Sequence, residues 1–172
     1  MTEYGPAVSR LCVAAMGGAE PLRSIQESGD FYRLYLTTDP ADGAELAVAA
    51  PGLDEVSLIS DLIGALRERV ADAAGMGQSV VAAFHVGIVK LTETGFSGTG
   101  VERALALIRD PVITTLITPR AAADPRRGQS ALAVAITAGF FEGLRAEGLP
   151  GDGWRLVSPV GAWLRLFDGH QA

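Results

Sequence analysis

Ser79-Val80-Val81-Ala82-Ala83-Phe84-His85-Val86-Gly87-Ile88-Val89-Lys90-Leu91 (79–91) is the stretch that decides the fold. It is rich in valine and too continuous in its apolar residues for a strand with one wet face, so it belongs in the middle of a sheet. On its N-terminal side Val56, Ile59, Leu62, Ile63, Leu66 and Val70 recur at the three-and-four spacing of an amphipathic helix, with Asp54 as N-cap and Gly75 as stop. Before that helix, 31–38 (FYRLYLTT) and 45–50 (ELAVAA) flank the turn residues Asp39-Pro40-Ala41-Asp42-Gly43 and read as a hairpin. Val8 to Ala15 reads as a first buried strand ended by Gly17-Gly18, after a flexible 1–6. Between strand and hairpin lies a short irregular or helical piece.

On the C-terminal side of 79–91 comes a glycine turn, Gly95-Phe96-Ser97-Gly98-Thr99-Gly100. Val101, Ala104, Leu105 and Ile108 then mark a helix that should stop before Pro111. Residues 118–129, with two prolines and Arg126-Arg127, read as a solvated loop. Ser130 to Ile136 is strand-like despite its alanines, Thr137 to Gly148 a short helix, and Trp154 to Phe167 a terminal hairpin. Helices alternating with strands, with hairpins among them, predict one α+β domain over residues 1–172, a sheet covered by helices.

Composition bounds the function. The chain has 172 residues, 48% of them hydrophobic, and a mean hydropathy of +0.26, enough for a sizeable core. Its 14 basic and 20 acidic residues sum to −6, with pI near 4.9, so the positive footprint of a nucleic-acid binder is missing. Nucleic acid and anionic membranes are not expected partners. The longest apolar stretch, Ala131 to Phe141, is interrupted by Thr137 and Gly139 and falls short of the roughly 20 residues of a membrane span. No targeting segment is evident at Met1 to Pro6, and a cytoplasmic location is expected. One cysteine, Cys12, cannot form an internal disulfide, and His85 with His170 does not make a zinc site. No cofactor is expected. Only Lys90 of the basic residues is lysine, the other 13 being arginine, a usage that suits a GC-rich genome such as an actinobacterial one.

Several residues could carry chemistry, each against a plainer reading. The glycine turn reads GxxGxG, not GxGxxG, and lacks GKS or GKT, so a turn and helix start is favoured over a phosphate loop. Thr99-Gly100-Val101-Glu102 matches a capping box, which gives Glu102 a structural role. His85, inside an apolar strand, reads more readily as a hydrogen-bonded core histidine than as a base. Cys12 reads as an inert small hydrophobe, with a Cys-His nucleophile pair as the weaker alternative. Asp39 and Asp42 suit a turn, and are also the candidates for holding a divalent cation. The lone Asp30 carries little.

Five segments in order give a resemblance: 45–55 (ELAVAAPGLDE), Phe84-His85-Val86-Gly87, 95–107 (GFSGTGVERALAL), Ala131 to Leu144, and Ala162-Trp163-Leu164-Arg165-Leu166. Over about residues 44–168 the chain resembles the class III nucleotidyl cyclase homology domain, in a small divergent form found in actinobacteria. The resemblance implies a ferredoxin-like α+β sandwich, with helices packed on a mixed, mostly antiparallel sheet. It also implies a homodimer, or a pair with a related cyclase-like chain, whose cleft takes either a nucleotide or only a protein partner. Active cyclases place one metal-binding aspartate on strand one and another at the strand two to three turn, where two cations activate the attacking hydroxyl and neutralise the triphosphate. Here Val13-Ala14-Ala15-Met16 offers no carboxylate, and Gly43 stands where the second is wanted, with Asp42 beside it. The asparagine and arginine of the transition-state pair fall on Glu102 and Ala106. Losing one oxyanion-type donor usually costs about 10²- to 10³-fold in rate. A non-catalytic regulatory or binding module in bacterial signalling or defence is therefore expected, with Asp42, His85 and Glu102 as its ligand-binding candidates. The alternatives are a metal-dependent enzyme of nucleotide or phosphodiester chemistry, in which Asp39 and Asp42 with Glu102 gather a metal in a rearranged site, and a structural dimerisation domain.

Overall fold

The computed structural model describes residues 4–18, 20–27, 33–73, 78–117 and 131–168. The valine-rich stretch forms β4 (Ser79–Thr92), and its longest partner is β1 (Tyr4–Met16), antiparallel from Tyr4↔Leu91 to Met16↔Val81. Around this pair run α1 (Pro21–Glu27), β2 (Leu34–Thr38), β3 (Glu45–Ala49) and α2 (Glu55–Asp72). The chain order β1-α1-β2-β3-α2-β4 with the spatial order β2-β3-β1-β4, all antiparallel, is a ferredoxin-like unit. Beyond it come β5 (Gly95–Ser97), α3 (Thr99–Ile108), α4 (Pro111–Thr115), β6 (Ala131–Thr137), α5 (Ala138–Ala146), β7 (Arg155–Val157) and β8 (Ala162–Asp168). β6 joins β4 in parallel, and β8 and β7 extend the sheet antiparallel. The fold is thus α+β, with one mixed, mostly antiparallel sheet of eight strands and helices packed on it.

Alternation along the central strands divides the core in two. Leu11 and Val13 of β1, Val80, Ala82 and Phe84 of β4, and Leu132, Val134 and Ile136 of β6 pack with α1, α2 and α5. Cys12 and Ala14, Val81 and Ala83, and Ala131, Ala133 and Ala135 face the side of α3 and α4. The alanines of β6 fall together under this division, Ala131, Ala133 and Ala135 on one face while Leu132, Val134 and Ile136 fill the other. The closest approach is at α3. A Cβ at Gly87 would stand 2.6 Å from the Gly100 Cα, and a Cβ at Gly100 would stand 2.9 Å from the Cys12 Sγ.

Local signals account for most elements. Asp54 caps α2, its carboxylate accepting from the Val56 N–H and the Ser57 hydroxyl. The helix ends at a C-cap on Ala73, and Gly75 lies outside the described residues, as do Asp30, Arg126-Arg127 and the 118–129 segment. Phe141 stacks on Trp163 at 4.8 Å and meets Trp154 at 5.1 Å, which pins α5 to the terminal hairpin.

Two expectations need correction, and one holds with an addition. Residues 4–6 belong to β1, because β4 is long enough to pair as far back as Tyr4. Thr99 and Glu102 form no capping box: Gly98, at φ +114°, is the N-cap, which makes Thr99 the first helical residue and leaves the cap without a side-chain bond. The glycine is required there, since a Cβ would lie 2.4 Å from the Ile88 carbonyl oxygen. Pro111 ends α3 but also begins α4, with the Asp110 carboxylate accepting from the Val112 N–H.

Gly87→Ala is expected to push α3 off the sheet and to cost about 1 to 3 kcal/mol, the usual range for overpacking. Urea denaturation of the variant measures this, and an unchanged midpoint would refute the tight contact.

Candidate functional site

The β2–β3 turn is built by its own aspartates. The Asp39 carboxylate accepts from the Ala41 N–H at 2.9 Å and the Asp42 carboxylate from the Ala44 N–H at 3.0 Å, while Gly43 takes φ +75°. The remaining oxygens face the end of α3. There the Arg109 guanidinium donates from Nε to Asp42 at 2.7 Å, and from one NH2 group to Asp39 at 2.6 Å and Asp42 at 3.0 Å. One planar cation bridges both carboxylates. The bonds from Arg109, reinforced by the turn amides, hold both carboxyls below the ordinary carboxylate range and push the guanidinium further up.

This occupancy decides the fit of a metal. Each carboxylate spends one oxygen on a backbone amide and offers the others to a guanidinium, so the donor set is filled by the protein itself. The strand-one positions Val13, Ala14 and Ala15 are buried and have no oxygen in their side chains. Among the described residues no group of three or more histidine, cysteine, aspartate or glutamate side chains could hold a metal ion.

Arg109 has a clear relation to the helix. Glu102, Ala106 and Arg109 are all exposed and stand at i, i+4 and i+7, one stripe on the outer side of α3. Glu102 lies in the first turn and Arg109 at the C-cap, roughly 10 Å apart along the axis. Asp42 therefore meets one end of the helix and Glu102 projects from the other. No hydrogen bond or ion pair among the described residues links Asp42, Glu102 and His85.

His85 occupies a separate place. It faces α3 from β4, half-buried, and its Nδ1 is hydrogen bonded to the Thr137 hydroxyl at 2.8 Å. Burial lowers its pKa, and Arg103, whose guanidinium donates to the Val160 carbonyl at 2.7 Å, lowers it further. Cys12 is its cross-strand partner, but that thiol is fully buried, is pushed up to about 12 by desolvation, and donates to the Arg10 carbonyl. A thiol so placed is no nucleophile at neutral pH.

Beside the turn is a crevice of about 200 Å³ whose lining includes Thr37, Thr38, Asp39, Thr94 and Phe96. Asp39 reaches it; His85 and Glu102 do not line it. Comparison with family models, with curated proteins and with solved structures finds no significant match. Among the described residues, no helix is long and apolar enough to cross a membrane.

Two outcomes are expected from this geometry. Arg109→Ala should raise the pKa of both aspartates and lower stability by only about 1 kcal/mol, because the pair is partly exposed and screened. Carboxyl titration by NMR and thermal unfolding read the two effects. His85, with a folded pKa below its unfolded value of 6.5, binds fewer protons when folded, so stability is lost as pH falls through that region. Glu45, raised above 4.5 by burial, acts with the opposite sign as pH rises through its folded pKa, in wild type and variant alike. Denaturation at about pH 7.5 and about pH 5.5 should therefore show a smaller loss for His85→Gln than for the wild type; equal losses would show that the imidazole is not held neutral.

Proposed function

We propose that the chain is a non-catalytic module related to the class III nucleotidyl cyclase homology domain, serving regulation or binding in bacterial signalling or defence. It pairs with a second copy or a related cyclase-like chain, and any nucleotide that it binds is held without turnover. The observation that carries this reading is Arg109, which fills both carboxylates of the β2–β3 turn. A guanidinium supplies charge but no Lewis acidity, and it cannot activate a hydroxyl as a bound divalent cation does. The ferredoxin-like unit and the outward stripe of Glu102 and Ala106 are consistent with the resemblance. On the resemblance, an anion and a methyl group stand where a triphosphate would need an amide and a cation.

The pure protein, incubated with ATP or GTP and Mn²⁺, is expected to give no cyclic or hydrolysed product, and light scattering is expected to show a dimer. A turnover product that disappears in Asp42→Ala would overturn the non-catalytic reading, and a monomer at all concentrations would overturn the pairing.

A further inference from the structure

The face of the sheet opposite α3 carries a second recess. α1 has seven residues against eighteen for α2, and so covers only part of it. At the end where β1 stops and β4 starts, a crevice of about 300 Å³ opens between the two helices. Its floor is apolar, made by Leu66 and Val70 of α2 and Val80 of β4, all buried in the core. Its rim is charged with both signs, Arg69 and Asp72, one helical turn apart on α2.

Among the described residues the two charges do not neutralise one another. Arg69 ties α1 to α2 by donating to the Ser24 carbonyl at 2.9 Å, which uses one of the five N–H groups of the guanidinium. Among the described residues no ion pair joins Arg69 to Asp72, although the helix places them on one side. A volume at the small end of the range for ligand pockets, about 300 to 1,000 Å³, suits a compact molecule.

From this charge pattern over an apolar floor, we propose that the crevice binds a free apolar α-amino acid. The α-carboxylate meets the Arg69 fork, the α-ammonium meets Asp72, and the aliphatic or aromatic side chain rests on Leu66, Val70 and Val80. Complementarity is specific to a zwitterion. A fatty acid leaves Asp72 without a partner, an amine leaves Arg69 without one, and glycine leaves the floor wet. This site lies on the other face of the sheet from the Asp39, Asp42 and Arg109 cluster and stands independently of the reading given to that cluster.

Calorimetric titration of the full chain with leucine and phenylalanine tests the proposal, with glycine, 4-methylpentanoate and 3-methylbutylamine as probes lacking one group each. Leucine or phenylalanine should bind, and each truncated probe should bind about tenfold more weakly or worse, from a lost charged hydrogen bond in 4-methylpentanoate and 3-methylbutylamine and from lost apolar burial in glycine. Asp72→Asn, an exposed change that leaves the core intact, should weaken leucine by a similar factor and leave 4-methylpentanoate unaffected. Arg69→Lys should weaken both. The proposal fails if no amino acid gives heat or a thermal shift up to about 10 mM, far above a millimolar Kd, or if binding survives both substitutions unchanged.

Discussion

No Cβ fits at Gly87 or Gly100 without moving backbone or the Cys12 sulfur, and the placement of α3 follows from that constraint. Close contact between a strand and a helix requires small residues on both, and this face supplies them at Cys12, Ala14, Ala83 and Ala104. With its inner side fixed on β1 and β4, α3 can only present Glu102, Ala106 and Arg109 outward. Arg103 then reaches the Val160 carbonyl and ties the helix to the chain just before β8. The position of Arg109 over the β2–β3 turn is thus a consequence of two glycines some distance away.

The other face depends on a buried charge. Glu45, at the start of β3 and 1% exposed, accepts the Leu22 N–H at 2.6 Å and the Arg23 N–H at 2.9 Å. These are orphan amides of the first turn of α1, and a seven-residue helix is far too short to persist by itself. Further bonds fasten its length: Arg23 to the Thr38 hydroxyl, Gln26 to the Leu34 carbonyl, and Arg69 to the Ser24 carbonyl. Burial pushes the Glu45 carboxyl up, and the two amides oppose that push without cancelling it. The carboxylate is retained because an apolar residue there would leave two buried N–H groups without partners, at about 1 to 3 kcal/mol each.

What was legible in the sequence was local. The valine run placed β4, the three-and-four spacing with Asp54 placed α2, and the pair Asp39 and Asp42 announced a turn whose bonds run two residues along the chain. The box at Thr99 and Glu102 misled, because the close approach of Gly98 to Ile88 starts the helix one residue early, a tertiary cause. The α4 helix was announced by Asp110-Pro111, a cap followed by proline, yet the proline also reads as a stop. Arg109 had no sequence signal: its partners lie 67 and 70 positions away, and only the docking of α3 brings them together. The four-residue offset between the start of β1 at Tyr4 and the expected start at Val8 has the same origin in β4, whose length sets how far β1 is paired.

The chain's net charge of −6 acquires a local meaning at this clamp. Two aspartates beside each other at an exposed turn would repel, and the guanidinium removes that cost while leaving the cluster at a formal −1. A divalent cation would supply more charge but would need ligands beyond the turn, and Val13, Ala14 and Ala15 of β1, paired with β3, bring no side-chain oxygen. A tethered cation needs no further ligand and does not dissociate. The two carboxylates fasten the end of α3 to the β2–β3 hairpin, and their charge is met there by the guanidinium.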